Sequence, residues 1–404
     1  MKERTEKIED KSLSMQEEFQ EILDRLPIYE HDLRNLQDRI LANLVMVSEI
    51  PSPTFHEQER VQFLINRFTE HGLHNCSTDE VGNALGILPG EEDERNIIVV
   101  AHLDTNFDTS IDHTVSMEKD YVTGPGVGDN GLGLGAVVSL PAILDHLELR
   151  LKSNLVLMGS SRSLGRGDIE GLRFFLSHTD LPISAGVCIE GVKLGRISYA
   201  SIGMMRCEIS HSVPEEYDWT QFGAIGPIVT LNEVINKILE IPLPKRPRTS
   251  IVFGAIQGGK AFDKIASTAV LRFEIRSESE EMVSDLHNKI ENIVAEVSSD
   301  AGAEVGFEVF AMRRPGGLPF AHPLATRARQ IMRGLDIKAR VSPSTSELAA
   351  FIHKQIPALT LGITNGENMN EPNETIEIDP IYKGITQLIG LILAIDRGFC
   401  DASE

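Results

Sequence analysis

The sequence predicts an α/β fold with a mostly parallel sheet, helices on both of its faces, and a smaller inserted α+β domain. Two observations lead to this prediction. Continuous apolar runs such as Ile97–Val100 alternate with helical segments in the first half of the chain, which is typical of a parallel sheet buried on both faces. After about Gly203 the expected order becomes β-α-β-β-α-β, the order of a compact ferredoxin-like domain.

The first part opens with helical periodicity from Met15 to about Val47, and we expect two helices there with a break near Pro27. An amphipathic helix follows over His56–His71. Apolar runs then predict three buried strands, with helices between them over two further segments. The strands are Ile97–Val100, Asn154–Met158 and Ala185–Ile189, and the helices are Gly131–His146 and Ile169–Leu176.

The inserted domain is expected to contain four strands and two helices. The strands are Met204–Ser212, Ser250–Ile256, Ser267–Arg276 and Val305–Phe310, and the helices are Gly226–Leu239 and Glu280–Ser298. The chain should then return to the first domain with the helix Pro323–Gly334, the buried strand Ala358–Gly362 and a last helix at about Pro380–Phe399. The predicted domains are therefore 1–200 with 312–404, and 201–311.

Charge and composition exclude some classes of partner. The 404 residues carry a formal net charge of -22, which argues against nucleic acid or an anionic membrane surface. The charged N-terminus does not resemble a signal peptide, and we see no run of about 18 apolar residues. The scattered cysteines favour reduced thiols in a cytoplasmic protein; they are Cys76, Cys188, Cys207 and Cys400.

Candidate metal ligands follow the predicted strands. The run Ile97–Ala101 leads into His102 and Asp104, which share one face of a strand because they are two residues apart. A carboxylate in that position can accept the second imidazole N–H and orient the ring for a metal. Glu190 directly follows another buried strand, where an acidic residue is costly unless it is paired.

Asp129 lies in the glycine-rich segment Gly124–Gly135, where a helix is expected to begin. A phosphate loop is disfavoured because neither glycine motif of nucleotide-binding loops is present, whereas an ordinary N-cap role for Asp129 stays open. Strand ends of an open parallel sheet meet at one edge. His102, Asp129 and Glu190 would then give one imidazole and two carboxylates, a set suited to one divalent ion with a position left for water.

An ordered series of segments resembles the dizinc exopeptidase and amidohydrolase family, which includes peptidase T, carboxypeptidase G, aminoacylase and succinyl-diaminopimelate desuccinylase. The resemblance extends from about residue 40 to 398. The segments are Ser52–Glu57, Val99–Asp104, Gly124–Asp129, Gly203 with its strand, Gly258–Gly259, Phe273–Arg276 and Ile356–Gly362. It implies a zinc-exopeptidase-like domain and a lid domain that often mediates dimerisation.

The resemblance also implies roles for residues that match. His102, Asp129 and Glu190 fall on the three ligands of one zinc site, with Asp129 in the metal-bridging position. Asp104 falls on the carboxylate that orients the histidine. These four positions match the family.

Other positions depart from the family. Ser161 and Arg162 stand where the family has adjacent glutamates, the general base and a ligand of the second zinc, and Asn370 replaces a histidine ligand. Serine is a poor base near neutral pH, and neither serine nor arginine can replace a zinc-bound carboxylate. The candidate ligand-binding residues of the inserted domain are Tyr217, in place of a family histidine, Asp263, in place of an asparagine, and Arg276.

Two hypotheses concern the altered loop. The Arg162 cation could stand beside Asp129 and replace the missing second ion, or it could be a solvated loop arginine. Alternatively, because the loop is about two residues longer than usual, Asp168 or Glu170 could move in as base or ligand. Asn370 could add a weak amide-oxygen contact.

Three functions follow. The first is a catalytically silent relative that keeps one divalent metal for structure, zinc by preference over manganese or cobalt, or that binds a peptide-like or acylamino small molecule. The second is an active hydrolase of an amide bond that uses one metal or a rescued carboxylate. The third is a structural assembly subunit. A homodimer is expected by analogy with the family.

Overall fold

The computed structural model describes residues 2–92, 95–214 and 225–402. The chain forms two compact units, unit 1 (Met1–Ala200 with Gly317–Glu404) and unit 2 (Ser201–Gly316). The return to unit 1 falls at Gly317 rather than at residue 312, because the last long strand of unit 2 continues to Arg313.

The helices of the described residues are α1 Lys2–Leu33, α2 Gln37–Ser48, α3 Gln58–Glu70, α4 Leu132–His146, α5 Glu170–His178, α6 Pro227–Leu239, α7 Glu280–Ala301, α8 Pro323–Gly334, α9 Leu348–His353 and α10 Asp379–Asp396. The strands are β1 His74–Thr78, β2 Ala84–Leu88, β3 Asn96–His102, β4 Ser116–Met117, β5 Tyr121–Thr123, β6 Asn154–Ser160, β7 Ile183–Val192, β8 Arg196–Ser198, β9 Ala200–Ser201, β10 Gly203–Ser212, β11 Thr249–Gly258, β12 Thr268–Ser277, β13 Val305–Arg313, β14 Gly316–Gly317, β15 Arg340–Val341, β16 Ala358–Thr364, β17 Gly366–Glu367 and β18 Thr375–Glu377.

The main sheet of unit 1 has the strand order β1-β2-β6-β3-β7-β16-β8-β15. Its central strands β6, β3, β7 and β16 are parallel to one another, whereas β2 pairs antiparallel with β6 and β16 pairs antiparallel with β8. The sheet is therefore mixed, with the parallel core that the apolar runs predicted. A smaller sheet has the order β17-β18-β5-β4.

Both faces of the main sheet are covered by helices, as predicted. Ile97 and Val99 of β3 belong to a large apolar cluster with buried residues of α1, α2, α4, α8 and α10. Ile98 and Val100 belong to a second cluster with α5 and α9. Because successive side chains of a strand point to opposite faces, burial on both sides explains why β3 reads as a continuous apolar run.

The predicted break near Pro27 is wrong. Helix α1 continues through Pro27 to Leu33, and a short 3-10 turn, Arg34–Leu36, separates it from α2. Proline inside a helix removes a backbone hydrogen bond and costs about 3 kcal/mol. Here α1 packs against α10 and buries Leu26 and Tyr29 on either side of the proline, which offsets that cost.

Strands β1 and β2 were absent from the predicted elements. The β1 segment is mostly exposed, and its sequence HNCST is polar. An edge strand of this kind carries no apolar pattern that distinguishes it from a loop.

The connection from β7 to β8 crosses over β16. Leu194 N donates to Thr364 O at 2.7 Å, so this short connection lies directly on β16. A Cβ atom at Gly362 would lie 2.1 Å from Lys193 O, much closer than any side chain tolerates. Glycine at this position therefore allows the chain to pass over the sheet.

Unit 2 has the predicted β-α-β-β-α-β order, β10-α6-β11-β12-α7-β13. Its antiparallel sheet has the order β11-β12-β10-β13. One face packs against α6 and α7 through an apolar core that includes Ile209, Leu231 and Leu271. The other face carries ion pairs such as Arg206 with Glu274. The ferredoxin-like arrangement is thereby confirmed.

One stretch, Val127–His146, has the length and the mean hydropathy (1.4) of a membrane span. However, 94% of its apolar window is buried within the protein. This burial is what a core helix shows, and α4 is apolar on all sides because it packs on the main sheet.

Substitution of Gly362 by Ala should destabilise the protein by about 3 kcal/mol, because the new methyl group would overlap backbone atoms that cannot rotate away. Urea unfolding followed by circular dichroism measures the change. Gly334→Ala is the matched control, since the nearest atom to its Cβ would be 3.6 Å away. An equally stable Gly362→Ala protein would contradict the close crossing.

Candidate metal centre

Neighbouring parallel strands bring two of the predicted ligands together. In the β3–β7 pair, Val100 lies opposite Cys188, so two residues further along His102 lies opposite Glu190 on the same face of the sheet. Asp129 comes from the segment Val127–Gly131, directly before α4. The structure therefore places all three predicted ligands at the carboxyl edge of the parallel strands.

The three side chains form a compact donor set. One nitrogen of His102 and one carboxylate oxygen each of Asp129 and Glu190 all lie within 4.8 Å of one another. His102 Nε2 is 2.9 Å from Asp129 Oδ1. On the other side of the ring, His102 Nδ1 is 2.9 Å from the backbone oxygen of Asp104. Because a carbonyl oxygen can only accept, Nδ1 carries a proton and Nε2 faces the cluster.

The carboxylates and the imidazole shift one another's pKa values. Burial opposes charge on His102, but the nearby carboxylates of Asp104 and Asp129 outweigh it and hold the pKa of His102 well above its usual value. Burial also works against ionised Asp129, yet its hydrogen bond with His102 and the Arg196 cation lower its pKa. Burial raises the pKa of Glu190 to about 7, with Asp129 adding to the shift.

This donor set fits a divalent ion. Two carboxylates and one neutral imidazole balance a charge of +2, and nitrogen with oxygen ligands suits zinc, with manganese and cobalt also possible. Asp129 and Glu190 keep part of their surface open to solvent, which leaves access for an ion. Asp129 is not the N-cap of α4, because Gly131 occupies that position and makes no side-chain cap.

Two further side chains fix the position of Asp129. Asn130 donates from Nδ2 to Ile189 O at 2.7 Å and accepts from Gly191 N at 2.9 Å, so it holds β7 on both sides of Glu190. Buried Glu374 accepts from the backbone N–H groups of Gly128 and Asp129 through Oε2, at 3.0 and 3.2 Å. These bonds join the Asp129 segment to two distant parts of the chain.

Asp104 acts on its surroundings mainly through Oδ2. This atom accepts hydrogen bonds from Thr54 Oγ1 at 2.8 Å and from the backbone N–H groups of Ser163 and Leu164 at 3.0 and 2.8 Å. The other oxygen, Oδ1, is 3.5 Å from His102 Nδ1, which is too long for a good hydrogen bond. The expected orientation of His102 by Asp104 thus comes from the backbone carbonyl.

Ser161 and Arg162 do not face the donor set. Ser161 is buried, and its hydroxyl donates to Val81 O at 2.9 Å. The Arg162 guanidinium pairs with Glu170 at 3.1 Å and lies over the Phe55 ring. The Arg162 cation thus has Glu170 as its partner, an arrangement that does not support the hypothesis that it replaces a second ion beside Asp129. Ser161 likewise has a structural partner at the position expected for the general base.

The carboxylates of the longer loop also form ion pairs away from the donor set. Asp168 is buried and pairs with Arg173 at 3.2 Å, and Glu170 pairs with Arg162. The metal-capable cluster among the described residues contains neither of them. The side-chain oxygen of Asn370 accepts from Asn106 Nδ2 at 2.8 Å. This geometry does not support a rescued base or a second metal ligand.

The candidate ligand-binding residues of unit 2 stay predictions. Tyr217 lies outside the described residues. Asp263 lies in the exposed connection between β11 and β12, and Arg276 pairs with Glu274 on the charged face of the four-stranded sheet. Neither arrangement identifies a ligand by itself.

The sequence analysis missed four residues near the donor set. Asn130 and Glu374 position Asp129, as described above. Arg196 begins β8 and acts electrostatically on Asp129 and Glu190, and buried Glu347 acts on His102 and Glu190. Glu374 gave little signal, because the strand β18 that follows it is short and has a single apolar residue. Arg196 and Glu347 gave none, because only the sheet order brings them near.

Comparison with known proteins shows which proteins the chain resembles. Residues 222–301 match the family model described as the peptidase dimerisation domain of the M20 type. The acetylornithine deacetylase of Pasteurella multocida is 26% identical over 201 residues. That match covers 49% of this chain and 49% of the deacetylase, so it spans about half the length of this relative.

Solved structures with the same fold cover almost the whole chain. The dipeptidase Dug1p of Saccharomyces cerevisiae has a TM-score of 0.76 at 12% identity, covering 92% of this chain and 99% of its own. Human carnosine dipeptidase 1 has a TM-score of 0.74 at 13% identity with the same coverages. The Bacillus subtilis YXEP protein, a dinuclear metal binding peptidase from the M20 family, has a TM-score of 0.63 at 16% identity, covering 90% and 99%.

The comparisons support the resemblance to the dizinc exopeptidase and amidohydrolase family. The chain is similar in fold to M20 peptidases of known structure, and its residues 222–301 match the M20 peptidase dimerisation domain.

If His102, Asp129 and Glu190 hold a divalent ion, substitution of Glu374 by Ala should weaken its binding by about 10- to 100-fold, as the loss of a group that orients ligands does elsewhere. It leaves the N–H groups that hold Asp129 without their acceptor. A chelator competition assay measures the affinity. Glu371→Ala removes an exposed carboxylate nearby and should change nothing. Equal affinities in the two variants would contradict a positioning role for Glu374.

Proposed function

We propose that the chain binds one divalent metal ion, preferably zinc, through His102, Asp129 and Glu190, and has no ordinary dizinc peptidase activity. The observation that supports this proposal most is the loop after β6. At the positions of the family's paired glutamates, Ser161 and Arg162 are bonded to Val81 and Glu170. The three-residue donor set remains, whereas Asp168 and Glu170, the carboxylates of this loop, pair with Arg173 and Arg162.

A bound divalent ion would supply Lewis-acid chemistry, polarising a carbonyl oxygen or lowering the pKa of water. The residues of the chain would hold and orient it: the Asp104 carbonyl fixes the proton on His102 Nδ1, and Asn130 and Glu374 fix Asp129. Absence of a general base alone lowers a hydrolytic rate by about 10²–10⁴-fold. Loss of a second ion removes further stabilisation of the transition state.

The ligand that we propose is a peptide-like or acylamino small molecule. This class rests on the similar proteins, which include an acetylornithine deacetylase and two dipeptidases. With the metal site intact, such a molecule has a carbonyl oxygen to offer to the ion. Binding without ordinary turnover is the function that these features favour.

Two other functions compete with this proposal. An active amidohydrolase with one metal would have to use a base that the present positions of Asp168 and Glu170 do not provide. A purely structural subunit would not need the donor set. Metal content together with activity on dipeptides and N-acyl amino acids distinguishes the three.

We also propose that the chain forms a homodimer through unit 2. The match to a peptidase dimerisation domain covers α6, β11, β12 and α7. Strand β11 is an outer strand of its sheet and presents unpaired backbone groups. Large apolar side chains are exposed beside it, with Val229 of α6 and Ile256 of β11 each 57% exposed.

Purified protein should contain one zinc per chain, and His102→Ala should remove it while the protein stays folded. Loss of one of three ligands to a single ion accounts for this result. Inductively coupled plasma mass spectrometry after dialysis measures the stoichiometry. The exposed His353 provides the matched control, since His353→Ala should keep its zinc.

Two zinc ions per chain would contradict the one-metal proposal. Turnover of dipeptides or N-acyl amino acids at rates typical of enzymes, about 1–10³ per second, would favour the active hydrolase. Absence of zinc from the wild-type protein, even after incubation with the metal, would favour the structural subunit.

The wild-type protein should have twice the 44.6 kDa mass of the chain in light scattering coupled to size exclusion. Substituting Val229 and Ile256 together by Asp should convert it to monomers, because charges would be buried without partners in the interface. Met117→Asp changes an equally exposed apolar residue of unit 1 and should leave the dimer intact. A monomeric wild-type protein would exclude this proposal.

A further inference from the structure

We propose that Arg60 is a positioning residue of the metal centre, which sets the spacing between the segment that carries His102 and the segment that carries Asp129. This inference rests on the proposed function, since it concerns the same site. Arg60 belongs to helix α3, outside the donor set. It acts through hydrogen bonds to backbone groups rather than through contact with a ligand side chain.

The Arg60 side chain is fully buried, and its described hydrogen bonds all go to backbone carbonyl oxygens. Nε donates to Ile50 O at 2.9 Å, Nη1 to Leu103 O at 2.8 Å, and Nη2 to Ser48 O at a longer 3.4 Å. A guanidinium carries its N–H groups in a rigid planar fork. The three carbonyl groups are therefore held at fixed positions relative to one another.

Leu103 is the residue between the ligand His102 and Asp104. Its N–H donates to Ser160 O of β6 at 2.8 Å, and its carbonyl oxygen accepts from Arg60 of α3. The peptide groups on both sides of Leu103 are thus bonded to different elements. Because the next carbonyl, that of Asp104, accepts the proton of His102 Nδ1, a rotation of the chain at Leu103 would change the orientation of the imidazole ring.

The acceptor at Ser48 lies next to the segment of the second ligand. Ser48 is the last residue of α2, and a Cβ atom at Gly131 would lie 2.1 Å from Ser48 Oγ. Gly131 ends the segment Val127–Gly131, which carries Asp129. Arg60 therefore joins the residue after β3 to the helix end against which the Asp129 segment packs.

The connection between α2 and α3 is bonded to the residues after β3 at two further points. Thr105 N donates to Ser52 O at 2.8 Å, and Thr54 Oγ1 donates to Asp104 Oδ2 at 2.8 Å. These two bonds hold residues further from the histidine ligand. The Arg60 guanidinium holds the residue directly beside it, so the arginine has the most direct effect on the position of the imidazole.

A charged side chain at this depth is costly unless its polar groups are compensated. Burial lowers the pKa of Arg60 to about 10, while the Asp104 and Glu374 carboxylates act in the opposite direction. The guanidinium therefore stays charged at neutral pH. An apolar side chain would avoid the cost of burying a charge, and what the arginine adds in its place is a set of donors for three carbonyl groups.

The test is the affinity of purified full-length protein for Zn²⁺ and Co²⁺, measured at fixed pH by chelator competition, with Co²⁺ absorption to report on the donor set. Arg60→Met removes every donor and should bind both ions about 10- to 100-fold more weakly, as the loss of a group that orients ligands does. Arg60→Lys keeps the charge but lacks the planar fork, so its affinity should lie between those of Arg60→Met and wild type. Both variants should change the Co²⁺ spectrum, because the ligands shift.

Phe68→Leu provides the matched control for fold stability. Phe68 is also a fully buried residue of α3, but its ring packs near Gly86, away from the residues after β3. This variant should unfold at lower urea concentration and keep the wild-type affinity and Co²⁺ spectrum. Arg60→Lys retains most of the side-chain volume, so it remains a valid test if Arg60→Met does not fold.

Two results would overturn the positioning inference. One is a folded Arg60→Lys protein with wild-type affinity and an unchanged Co²⁺ spectrum. The other is a loss of affinity in Phe68→Leu as large as that in Arg60→Lys, because the effect would then come from fold stability alone.

If wild type itself binds no divalent ion, the metal-binding proposal fails instead. The role of Arg60 is then decided by crystal structures of the metal-free wild-type and Arg60→Lys proteins. His102 Nε2 should move from its position 2.9 Å from Asp129 Oδ1 in the variant. An unchanged distance between these two atoms would overturn the inference on its own.

Discussion

The negative charge gathered at the ends of β3 and β7 is the constraint on which the rest of the centre depends. Asp104, Asp129, Glu190 and Glu374 all lie in or beside one small region of unit 1. Carboxylates packed together with little water are unfavourable unless cations or N–H groups compensate them. The local architecture follows from how each of these charges is compensated.

The four carboxylates are compensated in two different ways. Asp104, through Oδ2, and Glu374 accept hydrogen bonds from backbone N–H groups, so they serve as fixed anchors for the loop after β6 and for the Asp129 segment. Asp129 and Glu190 are left with His102 and with the field of Arg196. Only these two carboxylates therefore remain free to accept a metal ion.

The bonding of carboxylates by backbone N–H groups also explains why the loop after β6 does no chemistry in the proposed function. Its backbone supplies N–H groups to Glu57 from Arg162 and to Asp104 from Ser163 and Leu164. A backbone held at these points turns the Ser161 and Arg162 side chains toward Val81 and Glu170. The segment has a scaffolding role that depends on its backbone and hardly on its side chains.

Much of the fold was predictable because burial on both faces leaves a strong pattern in β3, β6 and β16. Two members of the donor set, His102 and Glu190, were predictable because they lie at or near the ends of buried strands. The continuation of α1 through Pro27 was not predictable, since packing on α10 offsets the cost of a proline inside a helix. The direction of the Arg162 side chain was also unpredictable, because it depends on the ion pair with Glu170. Arg196 and Glu347 required the strand order itself.

The retained donor set is itself an argument for ligand binding over a purely structural role. Glu190 beside Asp129 is a costly arrangement, with enclosure raising the pKa of Glu190 to about 7. Uncharged side chains of similar size would relieve this cost and stabilise the strand ends. Asn130 and Glu374 nevertheless hold the arrangement in place with hydrogen bonds from distant segments. Local rules are broken in this way mainly where a ligand compensates the charge, and here the ligand that fits is a divalent ion.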